Sequence, residues 1–246
     1  MGGIGGISDE GLYPRFANYI ADERIAEMTA RGCARIEKWN PTEYERELAR
    51  ESRSLAGQVC RALEPLADQL PRQLAHGDFW DNNVLFLGGR IVGLIDFDFM
   101  GRRKRIDDLA LTLYFINHWL SFSPNHSEAN ASAQGRTGGQ REAMSIGRAR
   151  ELSRLADLYG TGHAAPLTGA ERAALPIALA LQPLWSVGGW IALLDDERAA
   201  RAHASDMLWA VRWGRHIMDH LGEWQDAFLN PCPKNPSFDE IRTESD

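Results

Sequence analysis

Cysteine is scarce in this 246-residue chain, and Cys33, Cys60 and Cys232 are odd in number and widely separated. That usage excludes a disulfide framework and a zinc knuckle, and it fits a reduced cytoplasmic compartment. Lysine is equally rare, at positions 38, 104 and 234 only, and 27 basic residues face 34 acidic ones for a formal charge of −7. The balance argues against nucleic acid as the main partner and mildly favours a cationic small substrate. No basic stretch followed by an apolar core opens the chain, so a secretory signal is not expected. Only one long apolar run exists, Ala173 to Leu194, and Pro176, Gln182, Pro183, Ser186 and the Gly188-Gly189 pair interrupt it before Asp195-Asp196-Glu197. It reads as buried core helices broken at the prolines, not as a membrane span. Internal repeats are absent as well, and 44% apolar content suffices for one compact unit.

What the chain does have is concentrated in a short central stretch. His76-Gly77-Asp78-Phe79-Trp80-Asp81-Asn82-Asn83 is followed by Ile95-Asp96-Phe97-Asp98. An aspartate, four residues, an asparagine and then a second aspartate after an apolar run is the spacing of phosphoryl-transferring enzymes. Such chemistry rests on positioning and charge neutralisation, so it needs a base for the attacking hydroxyl and oxygen ligands for a hard cation. Val84-Leu85-Phe86 reads as a strand, Leu87-Gly88-Gly89-Arg90 as a turn and Ile91 to Ile95 as the returning strand. The hairpin brings Asp96 back beside Asn83. Each residue alone is ordinary, since Gly-Asp pairs and asparagines are common in turns; the joint spacing is what is specific.

These residues, with Asp107-Asp108-Leu109-Ala110 downstream, resemble the aminoglycoside phosphotransferase and choline kinase group of small-molecule kinases. The specific match runs from about Leu74 to Tyr114. The resemblance implies Asp78 as catalytic base, Asn83 and Asp96 as magnesium ligands, and Asp98 as a further metal carboxylate. It makes His76 a loop-shaping residue and Asp108 a structural one that opens a helix and caps its free amides. It implies Mg2+ and ATP or GTP as cofactor and donor, and a hydroxyl of an aminoglycoside, amino alcohol, sugar or homoserine-like molecule as acceptor. Neither nucleic acid nor membrane is an expected partner; oligomeric state and nucleotide-binding residues stay open.

The chain departs from the family pattern upstream. A complete kinase of this type carries a small β-rich lobe with a glycine-rich loop over the phosphates and a strand lysine. Gly2-Gly3-Ile4-Gly5-Gly6 has no strand before it, and Lys38 in Arg35 to Pro41 reads as a solvated surface lysine. The expectation is therefore an α+β, mainly α-helical C-terminal lobe of a kinase-like fold with a short catalytic hairpin and without the N-terminal β-lobe. It divides into a flexible start (1–10), a helical segment (11–73), the catalytic loop, hairpin and metal motif (74–100), and a helical subdomain (101–246) with a mobile loop over 121–141. A non-catalytic binding module, or a lobe unable to bind ATP productively, is the alternative; a metal-dependent phosphohydrolase using Asp78, Asp96 and Asp98 leaves the asparagine spacing unexplained.

Elsewhere helical periodicity dominates. Candidate helices run over 10–31, 42–70, 107–120, 142–159, 170–194 and 197–221, with Thr42 and Glu45 as a capping box and Gly160, Gly162 and Gly222 as stops. Arg102-Arg103-Lys104-Arg105 reads as a solvated basic loop in preference to a phosphate contact. His216 and His220 read as surface histidines, there being no third zinc ligand. Trp119, Trp185, Trp190, Trp209, Trp213 and Trp224 read as packing first, and as a cage for a quaternary ammonium second.

Overall fold

The computed structural model describes residues 20–122, 144–161 and 165–231. The glycine-rich start, all but the first two residues of the loop expected over 121–141, Gly162, Cys232 and Lys234 lie outside them.

After a 3-10 turn, Asp22–Arg24, two helices follow, α1 (Ile25–Lys38) and α2 (Glu43–Leu63). Lys38 is exposed at the end of α1. A 3-10 segment, Glu64–Gln69, leads into strand β1 (Arg72–Ala75), then the hairpin strands β2 (Val84–Leu87) and β3 (Arg90–Leu94), and then β4 (Gly101–Lys104). Helices α3 (Ile106–Phe122), α4 (Ile146–Thr161), α5 (Gly169–Trp185), α6 (Glu197–Ala204), α7 (Met207–Asp219) and α8 (Leu221–Leu229) complete the order, with a π-helical turn, Ser186–Ile191, after α5. The protein is mainly α-helical with two small antiparallel sheets, β1–β4 and β2–β3.

Helix α5 is the axis of the helical body, packed against α2, α3, α7 and α8. Leu55, Val59, Leu113, Leu175, Leu179, Leu184, Val211, Trp213, Trp224 and Phe228 belong to one continuous buried core. The segment Gly169–Ile191 is long and apolar enough to cross a membrane, yet 89% of its apolar 18-residue stretch is buried within the protein itself. Its prolines do not break it, contrary to expectation. Pro176 and Pro183 both sit inside α5, and the π-helical turn Ser186–Ile191 follows it. The helix expected over 197–221 is instead two, α6 and α7, and Gly222 lies inside α8, which starts at Leu221, where a stop was expected.

Two capping boxes anchor this body, and each glutamate serves twice. Thr42 accepts from the Glu45 N–H, and Glu45 returns a carboxylate to the Thr42 N–H at 2.7 Å while also receiving Arg201 from α6 at 2.9 and 3.1 Å. Thr168 and Glu171 repeat the motif at the start of α5, and the fully buried Glu171 takes Arg105 Nε at 2.7 Å. A local helix start is thereby tied to a distant element. Arg201 hydrogen bonding holds Glu45 down at about 2. Burial pushes Glu171 up, but Arg105 and Thr168 outweigh it and leave the carboxyl below its ordinary value.

The basic run overturns its sequence reading. Arg103, Lys104 and Arg105 are buried, because β4 pairs with β1 from Arg72↔Lys104 to Ala75↔Gly101 and lays the run across the body; only Arg102 is exposed. The charges are compensated by carboxylates and carbonyls from afar, Arg105 taking Glu171 and the carbonyls of Ala165 and Pro166.

Candidate active site

Polar side chains hold the backbone of the loop between β1 and β2. Gly77 sits at φ +83°, and a Cβ there would lie 2.2 Å from the Phe99 carbonyl oxygen, so only glycine fits. Asp108, in the first turn of α3, accepts the N–H groups of His76 and Gly77, one on each carboxylate oxygen, both at 2.7 Å. It was expected to cap its own helix; its carboxylate instead grips the loop in front of it. Thr112, one turn further along α3, donates to the Phe79 carbonyl at 2.7 Å.

His76 links this loop to the second acidic segment. Its Nδ1 accepts the Asp78 N–H at 3.3 Å, which assigns the ring proton to Nε2, and Nε2 donates to the Ile95 carbonyl at 2.9 Å. The imidazole also lies 4.8 Å from the Phe97 ring and 5.9 Å from the Phe79 ring. Both ring nitrogens are occupied in shaping the backbone.

Asp78 and Asn83 are in direct contact. The Asn83 amide nitrogen donates to the Asp78 carbonyl at 2.8 Å and to its carboxylate at 3.0 Å. Asn83, 6% exposed, ends a 3-10 turn, Asp81–Asn83, and its own carbonyl accepts the Ile95 N–H at 3.1 Å. The hairpin closes as its sequence predicts. Leu87 pairs with Arg90 across Gly88 and Gly89, at φ +55° and +75°, the positive values a two-residue type I′ turn requires. Val84 then faces Leu94, and the chain leaves β3 directly alongside Asn83.

Asp96 follows at φ +62°, a left-handed conformation that non-glycine residues seldom adopt. Asp96 and Asp98 are exposed. Burial pushes the Asp78 carboxyl above the usual carboxylate range; the Asn83 hydrogen bond opposes this, the Asp96 charge adds to it, and His76 and Trp80 pull it back. Asp96 is thus close enough to act on Asp78, whereas no hydrogen bond or ion pair among the described residues ties Asp98 to the other three.

The donor set suits a hard cation. With the Asn83 nitrogen spent on Asp78, its amide oxygen remains as the acceptor, and the Ile95 N–H bond to the Asn83 carbonyl brings the segment that carries the Asp96 carboxylate back to this loop; oxygen donors of this kind match magnesium. No group of three or more histidines, cysteines, aspartates or glutamates among the described residues could hold a metal. The three-aspartate arrangement of a phosphohydrolase is therefore not assembled here.

Other candidates resolve differently. His216 is half-buried, with Nε2 on the Met144 carbonyl at 2.7 Å and its ring 4.3 Å from His220, so it ties α7 to the turn before α4 and is not a free surface histidine. Trp185, Trp213 and Trp224 are core residues, Trp190 stacks on His203, and Trp209 meets His118; the Trp119 side chain lies outside the described residues. The sequence reading missed Trp80, which stacks on Phe115 at 4.7 Å two residues from Asp78. It also missed an exposed apolar surface. Leu74, Leu85, Phe86, Leu87, Ile91, Val92, Leu94, Ile95 and Phe97 are nine of the eleven large exposed hydrophobics among the described residues, and all flank the acidic motifs. Three consecutive apolar residues on β2 were the available signal, since a strand with one wet face would alternate.

Comparison with known proteins finds relatives for this chain. A homoserine kinase from Acidiphilium cryptum (strain JF-5) is 30% identical over 167 residues, covering 65% of this chain and 44% of that protein. One from Gluconacetobacter diazotrophicus is 33% identical over 116 residues, or 47% of this chain and 28% of the relative. One from Nitrobacter hamburgensis reaches 45% over 58 residues, 24% of this chain and 17% of the relative. The chain therefore spans less than half the length of these curated relatives. No solved structure matches it significantly. The phosphotransferase enzyme family matches residues 11–146, more than half of the 246, and takes in the loop, the hairpin and the Asp108 anchor. With that match over the motif-bearing half, the chain belongs to the phosphotransferase enzyme family.

Proposed function

We propose that this protein takes part in ATP- and magnesium-dependent phosphoryl transfer to a hydroxyl of a small molecule in the cytoplasm, with homoserine the first acceptor to test. Aminoglycosides, amino alcohols and sugars remain acceptors of the same chemistry, and GTP an alternative donor. The observation that carries the reading is the Asp78–Asn83 contact, with Asp96 brought back alongside by the hairpin. Asp78 would orient the acceptor hydroxyl and take its proton, and its raised pKa suits a base that must also release that proton. The Asn83 amide oxygen and the Asp96 carboxylate would hold magnesium, with Asp98 reaching it from the adjoining turn. When bound, the metal supplies neutralisation of charge on the transferred phosphoryl group. His76 and Asp108 would keep the loop in register so that Asp78 does not have to be organised during turnover.

The test is Asp78→Asn, assayed by nucleotide- and acceptor-dependent ADP release. Turnover should fall by roughly 10²- to 10⁴-fold with an unchanged thermal midpoint. Wild-type turnover should rise with pH through a carboxyl titration placed above the ordinary range. Turnover that survives the substitution removes Asp78 from its role.

A second reading is a binding module that keeps the groove without turnover. Magnesium-ATP that raises the melting temperature supports the enzyme, since a ligand of the native state must do so; no shift at millimolar nucleotide supports the module.

A further inference from the structure

Lys104 is the best-enclosed ammonium among the described lysines. Its side chain is 3% exposed, with Nζ 2.6 Å from Asp22 Oδ1 and 3.5 Å from Asp107 Oδ1. Its backbone N–H donates to the other oxygen of Asp107 at 3.1 Å, so one residue binds the same carboxylate twice, through main chain and side chain. Asp22 comes from the 3-10 turn before α1, 82 positions earlier. Burying a cation in this way is costly and needs paired partners.

The position of Lys104 explains what that cost secures. It ends β4, and the far end of β4 pairs Gly101 with Ala75, the residue before His76. It also precedes α3, where Asp107 adjoins Asp108, whose carboxylate takes both the His76 and Gly77 amides. The loop bearing Asp78 is therefore held from two sides, by β4 through β1 and by α3 through Asp108, and Lys104 is the joint between those two holders. Burial pushes Asp107 up to about 6 even with Lys104 beside it, so this carboxylate depends on the cation to remain ionised. Asp22, Arg103 and Asp108 are the other charges that act on it.

We infer that Lys104 is a positioning residue for Asp78: clamped between Asp22 and Asp107, it fixes the angle between β4 and α3 and thereby the loop that presents Asp78. The inference rests on the functional reading of Asp78, but its structural half does not. It also makes Asp22 a lever, because a shift of the turn before α1 is transmitted through one ion pair to the active loop.

Hydrogen–deuterium exchange of the whole protein, read by mass spectrometry on peptides covering residues 72–80, tests it without any acceptor. Lys104→Met should speed exchange at the His76 and Gly77 amides about tenfold while peptides from α5 keep wild-type protection, as local opening predicts. Asp22→Asn, at a partly exposed site that leaves the fold secure, should produce a smaller acceleration in the same peptides. In nucleotide-dependent turnover, both variants should lower kcat more than they raise KM for nucleotide. Unchanged loop exchange in both variants, or acceleration spread evenly over α5, overturns the inference and leaves Lys104 a general structural ion pair. Loop acceleration in variants of a protein whose Asp78→Asn form still turns over retains the joint and removes only the catalytic reading.

Discussion

The helical body and the hairpin region solve opposite problems. In the body, apolar side chains from α2, α3, α5, α7 and α8 vanish into one core, and polar groups serve to start helices and tie them to distant partners. In the hairpin region the apolar side chains stay outside, and the backbone of the loop is held by single polar side chains, Asp108, Thr112, His76 and Asn83. The body gains its stability from burial, and the loop takes its shape from hydrogen bonds that burial has made specific. The difference separates the part that must merely persist from the part that must hold oxygen atoms at set positions. Among the described residues, exposed apolar side chains beside the exposed Asp96 and Asp98 carboxylates set the hairpin apart from the body.

The contrast can be broken most sharply in the core. Trp213→Ala, deep between α7, α8 and the Tyr114 ring, should cost about 3–5 kcal/mol in chemical denaturation. A cost near zero would mean that the body is not held by this core. Gly77→Ala comes next. The new methyl would strike the Phe99 carbonyl at a positive φ, so stability should fall by roughly 1–3 kcal/mol and the loop contacts of Asp108 should be lost, visible as faster exchange of residues 72–80.

Acid titration sharpens the comparison within the body. The folded-state pKa of Glu45, about 2, lies below its ordinary 4.5. The Arg201 contact therefore contributes stability that is fully present above about 4.5 and is lost as pH falls toward 2. Glu45→Gln should flatten the stability profile across that window and lower stability at neutral pH by an amount that no longer varies with pH; an unaltered acid limb would show that other carboxylates govern it. The smallest stability effect belongs to the hairpin. Phe86→Ser should move the unfolding free energy by no more than about 0.5 kcal/mol in chemical denaturation, because the ring is already 61% exposed. A large loss of stability would show that the hairpin is a packed element after all.

Features that depend on neighbours in the chain were legible from the sequence. The Gly88-Gly89 turn, the strands on either side of it and the Thr42–Glu45 capping box rest on local backbone geometry, and they stand where the residues predict. The spacing of Asp78, Asn83 and Asp96 was legible for the same reason, since a tight hairpin leaves its two ends adjacent. Long-range features were not. Arg103, Lys104 and Arg105 look like a solvated run until β1 pairs with β4, and Pro176 and Pro183 look like breaks until surrounding helices hold α5 together across them. The partner of Asp108 was misjudged because a helix-start aspartate ordinarily serves its own amides, and only the docking of α3 against the loop redirects it.

The amino-acid order by itself determined the secondary elements near the motif, the oxygen-rich chemistry of the site and the apolar strength of the core, because propensity, turn geometry and hydrophobic content act over a few residues. Tertiary structure alone decided which charges are buried, which glutamates hold which arginines, that Lys104 meets Asp22, and that Asp108 grips the loop before Asp78. Those outcomes depend on pairs 30 to 160 positions apart, whose energies exist only once the chain has brought them out of water together.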